Sequence, residues 1–167
     1  MKKLILVCGP AGIGKSTFCE RYIANHPQEK VERISSDEIR LKITKSYRNF
    51  PTDKNGAKDM TPVYQGMVDE ASKRFREASA LTILLDSTML YDERRLFFVN
   101  NIKGYDQAEL DLLKLHDYSL CFKRNHERIR EKWVPDEVIA DMIKSYEDPA
   151  PEVKKRFDKV ETFYLDE

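Results

Sequence analysis

Along the chain, five short segments with a strand pattern alternate with longer segments in which apolar residues recur with a helical period. Continuous apolar runs are typical of strands in a parallel sheet that is buried on both faces. The clearest run is "LTILLD", which ends in an aspartate. The pattern predicts strands at 3–8, 30–35, 81–86, within 109–117, and at 159–165.

The segments between these runs carry the helical pattern, except for residues 44–60. That segment has no apolar period and contains a proline and a glycine, so we predict a loop. Thr61 is expected to cap the third helix with Pro62 at its first position, and Pro135 to open the last helix. The predicted helices cover 16–26, 37–43, 61–80, 92–105, 118–132 and 135–147.

Strands that alternate with helices indicate an open parallel sheet with right-handed crossovers. The 167 residues suffice for one domain with a substantial core, and no repeat or linker divides them. We therefore predict a single α/β domain over residues 1–167.

Composition and charge exclude several classes of function. Lys plus Arg and Asp plus Glu each number 29, so any anion-binding surface must come from local clustering. Cys8, Cys19 and Cys121 form no C-x-x-C pair, which argues against a disulfide framework or a thiolate zinc site and favours a reducing compartment. The apolar start is too short for a secretory leader, and no run is long enough for a membrane span. We expect a cytoplasmic protein with no membrane partner.

A glycine-rich stretch, "GPAGIGKST" at 9–17, lies between the first predicted strand and the first predicted helix. It matches G-x-x-x-x-G-K-[ST], and the strand–loop–helix context is the one in which this motif binds phosphate. Glycines let successive backbone N–H groups turn toward an anion, and the helix adds its positive dipole end. The expected nucleotide-binding residues are Gly9, Gly12, Ile13, Gly14, Lys15, Ser16 and Thr17.

Individual roles follow from side-chain chemistry, with ATP and Mg²⁺ as the expected cofactors. Lys15 can reach the β- and γ-phosphates, the Ser16 hydroxyl can ligate Mg²⁺, and Thr17 can donate to the α-phosphate.

A guanine-reading N-K-x-D is absent from the sequence, and the D-x-x-G match at 53–56 lies in the polar loop, so a GTPase switch is disfavoured. A short α/β chain with a late arginine-bearing helix as a lid favours a phosphotransferase.

Two aspartates follow predicted strands. Asp37 comes after the second strand, on the sheet edge that carries the glycine motif, where a carboxylate can accept the proton of an attacking hydroxyl. Its alternative role is to cap the helix that follows. Asp86 ends the third strand and can hold Mg²⁺ through water or orient the acceptor; the alternative is a simple strand-end cap.

The late helix carries "KRNHERIR", in which Arg124 and Arg128 are four residues apart and so share one helical face. Two guanidiniums on one face can clamp a transferring phosphoryl group. The alternative is a charged helix face that only contacts water. Arg130 is expected to point elsewhere.

Five segments together resemble the kinase domain of the phage-type polynucleotide 5′-kinase family. They are "SDEIR", "LLDST", "ERRL", "KRN" followed by Arg128, and "VPDEVI" with "M-x-x-S". The resemblance covers most of the chain and implies a phosphate-loop NTPase three-layer sandwich of adenylate-kinase-like type, with an arginine-bearing helical lid.

The same resemblance implies residue roles. Asp37 would be the general base for a 5′-hydroxyl, and Arg40 would contact the phosphate on the 3′ side of the reacting nucleotide. Arg128 would serve the transferring phosphate and Arg124 the donor, while Asp86 matches a functionally important aspartate on the substrate side. Lys15 and Ser16 would serve ATP and Mg²⁺.

The sequence also departs from the family pattern. Pro10 lies one place earlier than the usual proline, and Ser87-Thr88 replace an expected Thr-Asn. Residues 44–60, which would border the acceptor, match poorly. A D-x-D phosphatase signature is absent from the sequence.

The region 40–58 has a local charge of +5 and interleaves Tyr47 and Phe50. Such a segment can track a nucleic-acid backbone and stack bases, or it can be an ordinary polar loop with two aromatics turned inward. The three histidines lack metal-ligand spacing.

The sequence thus predicts an ATP- and Mg²⁺-dependent kinase whose substrate partner is the 5′-hydroxyl of a DNA or RNA end, and implies no stable protein partner. The alternatives are a kinase for a nucleoside or small metabolite alcohol, and a non-catalytic nucleotide-sensing module.

Overall fold

The computed structural model describes residues 1–167 as one five-stranded sheet with helices on both faces. All strand pairs are parallel, and the strand order is β2-β3-β1-β4-β5. The strands are β1 (Lys2–Cys8), β2 (Val31–Ser35), β3 (Leu81–Asp86), β4 (Gln107–Lys114) and β5 (Lys159–Tyr164). The predicted parallel α/β fold is confirmed.

Seven α-helices and one short 3₁₀ helix connect the strands. The helices are α1 (Lys15–Asn25), α2 (Ser36–Thr44), α3 (Thr61–Glu77), α4 (Asp92–Asn101), α5 (Ser119–Glu127), α6 (Asp136–Ser145) and α7 (Pro151–Lys154), with the 3₁₀ turn at Arg130–Lys132. None of these helices has the length and apolar character needed to cross a membrane.

The core has two layers because successive side chains of a strand point to opposite faces of the sheet. In β1, Leu4 and Leu6 pack in the larger core under α3 and α4, whereas Ile5 and Val7 pack in a smaller core with α1, α5 and α6. Residues 4–8 are fully buried. The central strand is therefore fixed from both sides, and its carboxyl end holds the loop that follows in a defined place.

The predicted helix over 118–132 is wrong in its second half. Helix α5 ends at Glu127, and Arg128 has extended backbone angles of −76° and 164°. The fully buried Asn125 explains the break: its amide nitrogen donates to the Val134 carbonyl at 2.8 Å, and its amide oxygen accepts from the Val134 N–H at 3.0 Å. This pairing reverses the chain and carries Arg128 off the helix.

Smaller differences concern helix and strand ends. Met60, and not Thr61, occupies the capping position of α3, and the Thr61 N–H donates to the Asp59 carboxylate at 3.0 Å. Helix α4 ends at Asn101 instead of 105, β4 begins two residues before the predicted range, and the single turn α7 was not predicted. Residues 45–60 contain neither helix nor strand, as predicted, apart from an isolated bridge between Thr52 and Lys58.

One carboxyl group is buried on the side of the sheet that carries the smaller core. Asp111 in β4 is 1% exposed, and its Oδ1 atom has no hydrogen-bond partner. Burial, together with the neighbouring Glu109 and Glu161, holds the pKa of Asp111 far above its usual range. The folded protein therefore keeps a proton on Asp111 that the unfolded chain, with a pKa near about 3.9, releases.

This proton linkage predicts how Asp111→Asn changes stability. Because the folded state binds the extra proton, the contribution of Asp111 to the free energy of unfolding falls as pH rises from about 4 through neutrality. Asparagine needs no proton, so the variant should be more stable than the wild type at pH 8, by at least about 1 kcal/mol, and nearly equal to it at pH 4. Urea unfolding at both pH values measures this, and identical pH dependence in the two proteins would contradict it.

Candidate active site

The glycine motif forms a tight loop between β1 and α1, and its shape requires glycine at position 12. Gly12 has a φ of +79°, and a Cβ atom there would lie 2.2 Å from the Cys121 carbonyl oxygen of α5. Gly14, with a φ of +111°, occupies the capping position of α1 in the left-handed region. The loop can therefore approach α5 closely only because these positions lack side chains.

Among the predicted nucleotide-binding residues, five have a backbone amide that is free to bind an anion. The N–H groups of Gly12, Gly14 and residues 15–17 have no hydrogen-bond acceptor within the protein, whereas that of Ile13 donates to the Pro10 carbonyl at 3.3 Å. Unpaired donors at a helix N-terminus, next to a positive dipole end, suit phosphate groups. The residues present thus fit the phosphates of a nucleotide. Gly9 and Ile13 differ from the other predicted residues of this loop in that their N–H groups already have partners, the carbonyl oxygens of Thr88 and Pro10.

Lys15 and Arg124 both lie against this loop. Lys15 Nζ donates to the carbonyl oxygens of Gly9 at 2.8 Å and Pro10 at 3.0 Å. Burial lowers the pKa of Lys15, while the carboxylates of Asp86 and Asp37 act in the opposite direction. Arg124 Nη1 donates to the Ile13 carbonyl at 2.6 Å.

Asp37 lies at the start of α2 with its carboxylate between two arginines. Its Oδ2 accepts from Arg128 Nη2 and its Oδ1 from Arg40 Nη2, both at 3.2 Å. Helix α2 is capped by Ser35, whose hydroxyl accepts from the Glu38 N–H at 3.1 Å, so the alternative capping role of Asp37 is taken by another residue. The Asp37 side chain is 38% exposed, which leaves it accessible to a substrate.

The two guanidiniums set the protonation state of Asp37. Burial acts to raise its pKa, but Arg128 and Arg40 outweigh burial and hold the pKa below the usual value. The carboxylate is therefore ionised throughout the neutral range.

Arg40 makes its contacts inside the protein. It is 8% exposed, and besides Asp37 it donates to the carbonyl oxygens of Tyr47 and, at 3.0 Å, Asn49. Its guanidinium also lies 4.4 Å from the centre of the Phe50 ring. Arg40 thus joins the 45–60 loop to Asp37, and its predicted contact with a substrate phosphate stays a prediction.

Asp86 pairs with a residue that the sequence did not reveal as functional. Arg33 of β2 donates to Asp86 Oδ2 through Nε at 2.8 Å and Nη2 at 2.5 Å. The same Nη2 lies 3.0 Å from the Ser16 hydroxyl oxygen. A sequence signal existed: an arginine occupies a strand position two residues before the strand end, on the side of the sheet that faces α1. The two oxygen ligands expected for Mg²⁺, from Ser16 and Asp86, therefore lie on either side of Arg33, and both are of the type that Mg²⁺ prefers.

A cleft of about 270 Å³ brings together three of the predicted residues, Ser16, Asp37 and Arg128, whereas Lys15, Arg40, Asp86 and Arg124 are not among its lining residues. Seven of its eight lining residues are polar or charged, and the cleft connects the phosphate loop with Asp37 and the segment after α5. Across its mouth, Tyr47 donates to Glu38 at 2.8 Å, and Lys132 lies 3.8 Å from the same carboxylate. The lining residues are Ser16, Arg33, Ser35, Asp37, Glu38, Arg128, Ile129 and Lys132.

Comparison with known proteins places this geometry in context. The sequence profile of the AAA domain family AAA_33 matches residues 4–149. No curated protein sequence is significantly similar to the chain.

Among solved structures, similarity extends over nearly the whole chain. A gluconokinase from Sinorhizobium meliloti is 20% identical, with a TM-score of 0.57 over 95% of this chain and 81% of its own. Kti12 from Chaetomium thermophilum, in complex with ADP-AlF3, is 17% identical, with a TM-score of 0.65 over 98% and 89%. A sugar kinase from Janibacter is 16% identical, with a TM-score of 0.66 over 100% and 87%. These similarities show that the chain shares its fold with these three proteins.

The contact between Gly12 and α5 gives a direct test of the loop. Gly12→Ala should lose at least about 2 kcal/mol of stability and bind ADP at least about tenfold more weakly, because the new methyl group collides with the Cys121 carbonyl. Gly56→Ala is the matched control: its φ is +81°, but a Cβ there meets nothing, so only about 1 kcal/mol of backbone strain is expected. Urea unfolding and calorimetric titration with ADP measure both effects. Equal losses in the two variants would show that the close approach to α5 is unimportant.

Proposed function

Because the chain belongs to the AAA domain family AAA_33, we propose that it is an ATP-dependent kinase that phosphorylates the 5′-hydroxyl of a DNA or RNA end. The observation that carries the proposal is the cleft in which the Asp37 carboxylate, the Arg128 guanidinium and the phosphate loop meet. Kinase chemistry needs three things within one site, and each has a candidate here. The phosphate loop would bind the phosphates of the donor, Asp37 would bind the acceptor hydroxyl, and Arg128 would place positive charge at the transferring phosphoryl group.

The donor side is built from backbone amides and Lys15. The free N–H groups of residues 12 and 14–17 would hold the phosphates, and the Lys15 ammonium would neutralise charge that develops on the γ-phosphoryl oxygens. Ser16 and Asp86 would hold Mg²⁺, which supplies further charge neutralisation at the β- and γ-phosphates when bound. Arg124 donates through one nitrogen only, which leaves its other N–H groups free for the donor nucleotide.

The acceptor side depends on Asp37. Its low pKa makes it a weak base, but phosphoryl transfer passes through a loose transition state in which little nucleophilic push is required. The ionised carboxylate would accept a hydrogen bond from the acceptor hydroxyl, orient its oxygen toward the phosphorus, and take the proton as the new P–O bond forms. Asp37 is therefore chiefly an orienting group that also receives the proton.

Arg128 is positioned to contact the transferring group. Its guanidinium makes one hydrogen bond within the protein, to Asp37, and the remaining guanidinium N–H groups have no partner. A guanidinium with free donors next to the acceptor carboxylate can bind the phosphoryl oxygens as negative charge accumulates on them.

Two observations support a nucleic-acid acceptor. The loop beside the cleft exposes cationic side chains, among them Arg48 and Lys54, and Phe50 is partly exposed beside it. Ile129, which lines the cleft, is also exposed, and so is Trp133, which follows the lining residue Lys132 in the chain. Cationic and aromatic side chains in one neighbourhood are the combination that binds single-stranded ends.

Another set of observations favours the second candidate, a kinase for a small polar alcohol. Arg40, the expected contact to an acceptor phosphate, uses its N–H groups within the protein, and the cleft is small and polar. Two of the similar structures are a gluconokinase and a sugar kinase. A nucleoside or a polyol would fit such a cleft without needing contacts to residues outside it.

The role of Asp37 predicts the behaviour of Asp37→Asn. The variant should lose at least about a hundredfold in kcat, because asparagine cannot receive the hydroxyl proton, while its affinity for ADP stays within about threefold. Asp69→Asn, which alters an exposed carboxylate on α3, is the control and should retain full activity. Phosphate transfer from labelled ATP and calorimetric ADP titration measure the two effects; a variant with unchanged kcat would remove Asp37 from the chemistry.

The identity of the acceptor predicts a salt dependence. If the acceptor is a nucleic-acid end, kcat/KM for a 5′-hydroxyl oligonucleotide should fall at least about tenfold between 50 and 200 mM salt, and that for a nucleoside should be low. The double variant Arg48→Ser/Lys54→Ser should raise the oligonucleotide KM. The control is the double variant Lys73→Ser/Arg76→Ser, which removes the same charge from α3 and should leave the oligonucleotide KM unchanged. Equal, salt-independent use of nucleoside and oligonucleotide would establish the small-alcohol function instead.

A further inference from the structure

Arg33 occupies the space between the two groups suited to a divalent cation. Its guanidinium contacts Asp86 through two nitrogens and the Ser16 hydroxyl through one. We propose that Arg33 competes with Mg²⁺ for Ser16 and Asp86, and thereby sets the cation affinity of the nucleotide complex. The inference rests on the proposed function, because it requires a nucleotide in the phosphate loop.

The charges make simultaneous occupancy unfavourable. A cation bound to the Ser16 oxygen at the usual distance of about 2.1 Å would lie within a few ångströms of Arg33 Nη2, which is 3.0 Å from that oxygen. A divalent and a monovalent positive charge at such a separation repel strongly in a partly buried site. The cation and the guanidinium must therefore exchange places, and the exchange opposes cation binding.

The surroundings of Arg33 allow this exchange. Its side chain is 31% exposed and lines the cleft, so the guanidinium can turn toward solvent or toward the phosphates. Asp86, in contrast, is 4% exposed and cannot follow it. A buried carboxylate without a partner is costly, so Arg33 stabilises Asp86 whenever no cation is bound.

Arg33 differs in this respect from the other arginines of the site. Arg128 and Arg40 pair with Asp37, and Arg124 pairs with a loop carbonyl, so none of them contacts either oxygen suited to the cation. Removal of the Arg33 charge should thus change the affinity for the cation more than the affinity for the nucleotide.

The test measures binding and not catalysis. Mn²⁺ is titrated into the protein saturated with ADP, and free Mn²⁺ is followed by electron paramagnetic resonance, while ADP affinity is measured separately by calorimetry in EDTA. Arg33→Gln should bind Mn²⁺ about tenfold or more tightly than the wild type, with ADP affinity in EDTA changed less than about threefold.

A matched control separates local from general charge effects. Arg74→Gln also removes one partly exposed arginine charge, from a residue that pairs with Glu32 and Glu70, and should leave Mn²⁺ affinity unchanged. Unchanged or weaker Mn²⁺ binding in Arg33→Gln would overturn the inference, as would an equal gain in Arg74→Gln. If ADP binds to neither variant nor the wild type, the proposed function fails as well.

Two further measurements apply if Arg33→Gln does not fold. Arg33→Lys keeps the charge but cannot contact both oxygens at once, so Mn²⁺ affinity should rise by a smaller factor in the same direction. In the wild type, the ¹⁵Nε–H signal of Arg33, assigned with that variant, should shift when Mg²⁺ is added to the ADP complex. An unshifted signal would show that Arg33 stays on Asp86 and would overturn the exchange.

Discussion

The paired hydrogen bonds that Asp37 accepts from Arg128 and Arg40 join the parts of the cleft that come from distant stretches of sequence. Arg40 fixes the 45–60 loop through hydrogen bonds to the Tyr47 and Asn49 carbonyls. Arg128 lies in the extended segment that follows the end of α5. Because one carboxylate lies between two guanidiniums, loss of its charge would leave two positive groups facing each other in a partly buried site. The residue suited to receive the substrate proton thus also holds the cleft together.

Charge is distributed unevenly in a chain whose formal net charge is zero. Asp37 and Asp86 are the carboxylates nearest the phosphate loop, and each is already paired with arginine. Lys15 and Arg124 add two more positive groups that face the loop without carboxylate partners. The site therefore keeps a local excess of positive charge in a neutral protein, as phosphate binding requires. Charge counted over the whole sequence hides this, since it depends on which side chains the fold brings together.

Much of the fold could be predicted from the sequence because its signals are local. Each of the five strands could be located from the local pattern of its residues, and the glycine motif could be placed because strand, loop and helix follow one another directly. The positions of the arginines could not be predicted in the same way. Arg128 leaves the helix because Asn125 pairs with Val134, nine residues away, and Arg40 turns inward because three carbonyl and carboxylate oxygens surround it. Arg33 acquires its role through Asp86, 53 residues distant. Periodicity and motif spacing carry no information about such partners.

Arg128 and Arg33 share one physical property: each donates to a carboxylate oxygen to which the proposed function gives a role, Asp37 for the acceptor hydroxyl and Asp86 for the cation. A phosphate group offers more negative charge and more acceptor oxygens than a carboxylate, so it can draw a guanidinium away from an aspartate. Under the proposed function, movement of Arg128 to a transferring phosphoryl group would raise the pKa of Asp37, because Arg128 is the strongest of the charges that lower it. Asp37 would then be a better proton acceptor at the stage when the acceptor hydroxyl must lose its proton. Arrival of the phosphoryl group and activation of the acceptor would be coupled in this way through the hydrogen bond of 3.2 Å between Arg128 and Asp37.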